Sequence, residues 1–155
     1  GLDALLRARS AVVSGIVNGI DNDEFNPATD PALPQRFTVD TLDDRAANKH
    51  ALQAKAGLPV SDSALVFGIV TRLFAQKGID LVAAAFDPLL ASRDMQLIVL
   101  GTGDEAVHQK LLQLQEKYPR KVKIWLDFNP PLGQEIYGAG GPIWYALWQD
   151  GIGEV

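Results

Sequence analysis

Arg72 and Lys77 are the residues of this sequence whose types and placement best suit chemistry. They lie in the stretch Thr71-Arg72-Leu73-Phe74-Ala75-Gln76-Lys77-Gly78, which follows the apolar run Ala64–Val70 and precedes a helical pattern. A loop in that position brings two permanent cations close to a helix N-terminus, where unpaired amides and the helix dipole already favour anions. Arginine grips phosphate bidentately and lysine supplies a mobile point charge. Together they could neutralise charge on a departing diphosphate without a metal ion. Two solvated loop cations are the competing reading, and spacing alone leaves that choice open.

A second candidate is Leu100-Gly101-Thr102-Gly103-Asp104, again at the junction of an apolar run and a helical pattern. Glycines let a backbone approach a ligand closely, and the helix that follows aims its amides at it. With Ala106 the stretch fits Gly-x-Gly-x-x-Gly/Ala, and Asp127 ends the next run where a ribose-binding acid would lie. A nicotinamide-dependent oxidoreductase is therefore the runner-up, with a non-catalytic interaction domain as the third reading. Asp104 and Glu105 weigh against it, because they would crowd a pyrophosphate with negative charge; as partners of the helix dipole they make better sense. The dinucleotide fingerprint also belongs on the first strand of its domain, whereas three predicted strands run up to this loop.

The elements that must position these loops are legible in the periodicity. Val12–Val17 is a β-branched run that predicts a short buried strand. From Asn22 to Asp40, Pro27, Pro31 and Pro34 deny regular helix and predict an extended connection. A helix is predicted over 42–56, capped from Thr41-Leu42-Asp43-Asp44, with Ala46, Ala47, Leu52 and Ala56 inward and Gly57 and Pro59 as its stop. Ala64–Val70, Leu97–Leu100 and Val122–Leu126 predict three buried strands. Helices over 78–90 and 104–118 alternate with them, their apolar stripes carried by Ile79, Val82, Ala83 and Phe86, then by Val107, Leu111, Leu112 and Leu114. Strands that are nearly all apolar, alternating with helices, predict an α/β fold: a doubly wound, Rossmann-like parallel sheet covered on both faces. In such sheets ligands bind beyond the carboxyl ends of the strands, where both candidate loops fall.

Composition narrows the function. A net charge of −5, from 19 acidic and 14 basic residues among 155, argues against a nucleic-acid partner. The densest basic group, Arg120, Lys121 and Lys123, reads as a solvated helix-to-strand junction. The absence of cysteine excludes disulfides, thiolate metal sites and cysteine nucleophiles. The two histidines, His50 and His108, lack partners at metal-ligand spacing and are expected at the surface. No apolar run reaches the roughly 18 residues of a membrane span, and no secretory signal is visible.

Read in order, several motifs resemble bacterial glycogen and starch synthases. Gly15-Ile16-Val17-Asn18-Gly19-Ile20-Asp21 and Phe25-Asn26-Pro27-Ala28-Thr29-Asp30 are similar to the segment entering that family's second domain. Ala46-Ala47-Asn48-Lys49 with Gly57-Leu58-Pro59 resembles its next helix. Arg72-Leu73 with Gln76-Lys77-Gly78-Ile79-Asp80-Leu81 resembles its most diagnostic loop, and Leu100–Asp104 the next one. Gln134-Glu135-Ile136-Tyr137 resembles the short helix after the third strand. The resemblance runs from about Gly1 to Tyr137.

It implies a retaining transfer of glucose from ADP-glucose to an α-1,4-glucan, with no cofactor, in a bacterial cytoplasm or plastid stroma. By the same resemblance Arg72 and Lys77 bind the donor diphosphate and stabilise its departure, and Gly101, Thr102, Gly103 and Asp104 line the donor site. Phe128 falls where an aromatic lies beside the adenine, a core position being the alternative. Asn18 and Asp21 border the cleft or structure its connecting loop. The expected organisation is a connection over 1–40, a nucleotide-sugar-binding unit over 41–137 and a tail over 138–155. The family's acceptor-binding first domain and its Glu-Pro-x-Gly-Leu motif are both missing, so a piece of the enzyme, inactive alone, is expected. Ile143–Trp148 is rich in aromatics and is expected to pack on the sheet or on a second copy, giving self-association through the tail or a sheet edge.

Overall fold

The computed structural model describes residues 2–139; the aromatic tail segment lies outside them. Three apolar runs form the strands β1 (Leu65–Val70), β2 (Met95–Leu100) and β3 (Val122–Trp125). They make one parallel sheet in the order β1-β2-β3, with Leu65 opposite Met95 and Leu97 opposite Val122. The helices are α1 (Asp3–Ala8), α2 (Arg45–Lys55), α3 (Ile79–Ser92), α4 (Glu105–Lys117) and α5 (Pro130–Gly138). The parallel α/β sheet expected from the alternating pattern is what the chain forms.

Alternation along each strand divides the core in two. Phe67, Ile69, Leu97, Val99, Val122 and Ile124 meet α3 and α4 through Val82, Phe86, Leu111 and Leu114. On the other face Val66, Ile98 and Leu100 meet α2 and α5 through Leu52, Leu132 and Ile136. Every residue of β2 is buried. The strand begins two residues earlier than expected because Gln96, though polar, is buried and satisfied. Its amide accepts from Gln53 Nε2 (3.0 Å) and donates to the carbonyl of Pro59 (2.8 Å). Gln53 in turn exchanges bonds with the backbone of Ser61, accepting its N–H (3.2 Å) and donating to its carbonyl (3.3 Å). Left unpaired, such buried amides would cost about 1–3 kcal/mol each; paired, they fix α2 against the amino end of β2.

Several local expectations are corrected. Val12–Val17 is not a strand: its residues are exposed, Ile16 at 95%, and no strand among the described residues lies beside it. A β-branched run becomes a strand only where another edge accepts its hydrogen bonds. Thr38 caps not α2 but the 3-10 turn ahead of it: its hydroxyl accepts from the N–H of Asp40 while its own N–H reaches the Thr41 hydroxyl. Asp44 at the start of α2 makes no side-chain cap. Residues 39–44 form a 3-10 turn, and α2 starts at Arg45. Ala46 and Ala47 are exposed, because the inward face of α2 carries the polar Asn48 and Gln53 beside Leu52. Asn48 clasps the Pro-rich connection, accepting Gln35 N–H (2.8 Å) and donating to Gln35 carbonyl (2.7 Å). Lys121 is not simply solvated: its ammonium donates to the carbonyls of Leu90 (2.6 Å) and Arg93 (2.9 Å), at the negative end of α3. His108 is largely buried rather than superficial, its ring Nδ1 3.6 Å from Glu105 Oε2.

The carboxyl-terminal halves of α3 and α4 are joined by Asp87. Its carboxylate accepts from Lys117 Nζ (2.7 Å) and from the Tyr118 hydroxyl (2.8 Å). Lys117, then Tyr118, hold the Asp87 carboxyl below its ordinary range, and Asp87 raises Lys117 above its own. The depressed carboxyl contributes stability above the ordinary carboxylate range and loses it as pH falls through the folded value. The raised ammonium contributes below the ordinary lysine range and loses its share as pH rises through the folded value. Both groups are exposed, so the effect is small. Asp87→Asn should lower the melting temperature slightly near pH 7, and thermal melts at about pH 2 should show the difference closing as the parent's carboxyl is protonated.

Candidate functional site

Parallel strands with right-handed crossovers collect their exit loops on one edge of the sheet. Here the exits of β1, β2 and β3 carry Arg72, Gly101–Asp104 and Phe128 in strand order. Adjacent strands are spaced by about 4.8 Å, so the outer exits are about 10 Å apart, within the span of one nucleotide diphosphate. Arg72 and Phe128 are exposed, Phe128 at 83%, and Lys77 is partly buried. The core alternative for Phe128 is thereby removed. The Phe128 N–H is held by the Asp127 carboxylate (2.8 Å), and α5 begins just beyond, with the Asn129 side chain accepting from Leu132 N–H (3.1 Å).

The two candidate loops are joined edge to edge. Thr71 N–H donates to Leu100 carbonyl (3.1 Å), Leu73 N–H to Thr102 carbonyl (2.8 Å), and Asp104 N–H to Leu73 carbonyl (2.9 Å). Leu73 and Gly103 form a further parallel bridge, so pairing of β1 with β2 continues past the sheet. Leu73 is fully buried in the core under α3 and α4, whereas its neighbour Arg72 is exposed. Extended backbone sends successive side chains to opposite sides, and burial of Leu73 therefore turns Arg72 outward.

Three helices start at this edge; α5 is capped by Asn129, and the starts of α3 and α4 differ. At α4 the Asp104 carboxylate accepts Ala106 N–H (2.8 Å), and Glu105 occupies the first turn. That positive end is already matched by acids of the chain. At α3 no side chain caps the start; Gly78, in the left-handed conformation (φ 70°), turns the chain into the helix. Asp80 sits in its first turn, and Lys77 immediately precedes the cap. The start of α3, beside the two cations, thus lacks the side-chain cap that α4 has.

Asn18 and Asp21 are exposed. The Asp21 carboxylate accepts the N–H groups of Asp23 (2.9 Å) and Glu24 (3.1 Å), and these bonds, that to Glu24 foremost, lower its pKa. Asp21 thus builds a turn, and among the bonds of the described residues none ties it or Asn18 to the strand-exit loops. No group of three or more potential metal ligands exists among the described residues, and no helix there is long and apolar enough to cross a membrane. What sequence reasoning missed is the part played by Leu73. A buried leucine between two loop cations is the signal that could have revealed it.

A parallel α/β sheet with a cationic loop and a glycine loop paired at its carboxyl edge defines a Rossmann-like unit. No family model matches the chain. Its sequence is 46% identical over 137 residues to a glycogen synthase of Kosmotoga olearia, covering 88% of this chain and 28% of that protein. It is 46% identical over 136 residues to a glycogen synthase of Geobacillus stearothermophilus, with 88% and 28% covered. In three dimensions it matches the catalytic domain of starch synthase IV from Arabidopsis thaliana bound to ADP and acarbose. That match has a TM-score of 0.82 and 32% identity, over 92% of this chain and 29% of that one. The chain spans less than a third of the length of these relatives. Over that span it belongs to the glycogen/starch synthase family, and the nicotinamide reading is not favoured.

Asp104→Ala should remove the cap of α4 and cost about 1 kcal/mol of unfolding free energy. Urea unfolding of parent and variant measures it directly.

Proposed function

We propose that this chain supplies the donor-binding side of a retaining glucosyltransferase that moves glucose from ADP-glucose to an α-1,4-glucan. The observation that carries the reading is the outward-turned Arg72, on a ribbon paired with the Gly101–Asp104 loop and adjoining the uncapped start of α3. Glycogen synthase relatives, and a starch synthase neighbour bound to ADP and acarbose, support it. In this reading Arg72 holds diphosphate oxygens with its planar fork, and Lys77 adds a compact charge from the end of the same loop. As the bond from the glucose anomeric carbon to the diphosphate breaks, negative charge grows on the leaving oxygen and both cations stabilise it. Thr102 and the amides of residues 101–104 border the donor, and Asp104 acts there mainly by holding α4. Phe128, exposed at the third exit, offers a face for the adenine. Asn18 and Asp21 belong to the connection over 1–40, which borders the cleft next to the unit over 41–137. Self-association through an exposed edge of β1 or β3 belongs to the same reading.

A charge-assisted contact to phosphate contributes about 1.5–3 kcal/mol, so Arg72→Ala or Lys77→Ala should weaken ADP binding about tenfold or more by calorimetry. Parent-like affinity in Arg72→Ala would dismiss the role. The chain by itself should incorporate no radiolabelled glucose from ADP-glucose into glucan, since the rate depends on positioning both substrates; measurable incorporation would contradict this.

A further inference from the structure

The glycines of the second loop face the neighbouring loop. A methyl group added at Gly103 would collide with the backbone of Leu73, and one added at Gly101 with the Thr71 carbonyl oxygen. Their missing side chains are what allow the residue 71–73 ribbon to lie against residues 101–104 closely enough to pair. The ribbon has little freedom to yield. Leu73 is fully buried, and both its backbone groups are bonded across the junction, to Thr102 carbonyl and Asp104 N–H. A side chain at residue 103 would push Leu73 away and break those bonds, carrying the adjacent Arg72 with it.

We infer that Gly103, supported by Gly101, is a positioning residue: beyond bordering the donor, it sets where Arg72 presents its guanidinium, acting through the backbone of Leu73 because it has no side chain. The inference rests on the proposed role of Arg72 in holding a diphosphate. A bidentate grip tolerates little displacement, so losing the pairing removes most of what Arg72 contributes.

The test is a double-mutant cycle on ADP affinity in the 155-residue chain, measured by calorimetry. Gly103→Ala should lose about tenfold, and Gly103→Ala combined with Arg72→Ala should bind no more weakly than Arg72→Ala alone. Gly15→Ala is the control, because a methyl group there meets no atom within 4 Å, and it should bind like the parent. Parent-like affinity in Gly103→Ala, or losses that multiply in the double variant, would overturn the inference. An Arg72→Ala variant that binds like the parent would instead sink the donor-site reading itself. Should Gly103→Ala fail to fold by circular dichroism, amide exchange in the parent decides. ADP should then slow exchange at Leu73 and Asp104 more than at the amides of β2, and equal slowing would overturn the inference.

Discussion

The burial of β2 constrains the rest of the molecule. A strand paired on both edges satisfies its backbone, but its side chains then need apolar cover above and below. Met95, Leu97 and Val99 find it under α3 and α4, while Ile98 and Leu100 find it under α2 and α5. Parallel neighbours can be reached only by crossing over the sheet, and each crossover is one of the covering helices. The same requirement that buries the strand therefore gathers the exit loops on a single edge. Gln96 is the one polar residue on this strand, and it is accommodated because Gln53 and Pro59 meet its amide at both ends.

From that edge the pairing runs on. Thr71, Leu73 and Asp104 extend the β1–β2 hydrogen bonds into what would otherwise be two independent loops. Loops are ordinarily the mobile part of an α/β unit, yet a residue as buried as Leu73 ties this one to the core. A side chain is placed precisely when the backbone that carries it cannot shift. Here it is a backbone contact, made possible by absent side chains, that connects a surface arginine to the hydrophobic interior.

Charge is distributed along α3 and α4 in keeping with this arrangement. The start of α4 is matched by Asp104 and Glu105, whereas the start of α3 lacks a side-chain cap and adjoins Lys77. At their far ends the two helices are tied by Asp87, Lys117 and Tyr118, and Lys121 reaches the last carbonyls of α3. One end of the pair is thus closed by the chain's own charges, and at the other only the start of α4 has a side-chain cap.

Periodicity by itself determined the three strands, their helices and the parallel sheet, because an apolar run of strand length between amphipathic helices has few ways to be buried. It also placed Arg72, Lys77 and Gly101–Asp104 in strand-exit loops, since the boundary between run and helix is local. It misjudged Val12–Val17, because a β-branched run carries no record of whether a partner edge exists. It read Ala46 and Ala47 as inward for a related reason: Asn48 and Gln53 are buried by partners distant in sequence, which a polarity pattern cannot display. The glycines of the second loop were legible as sites of close approach but not of approach to what. That was decided by tertiary structure, since only the parallel register of β1 and β2 carries Leu73 across to Gly103.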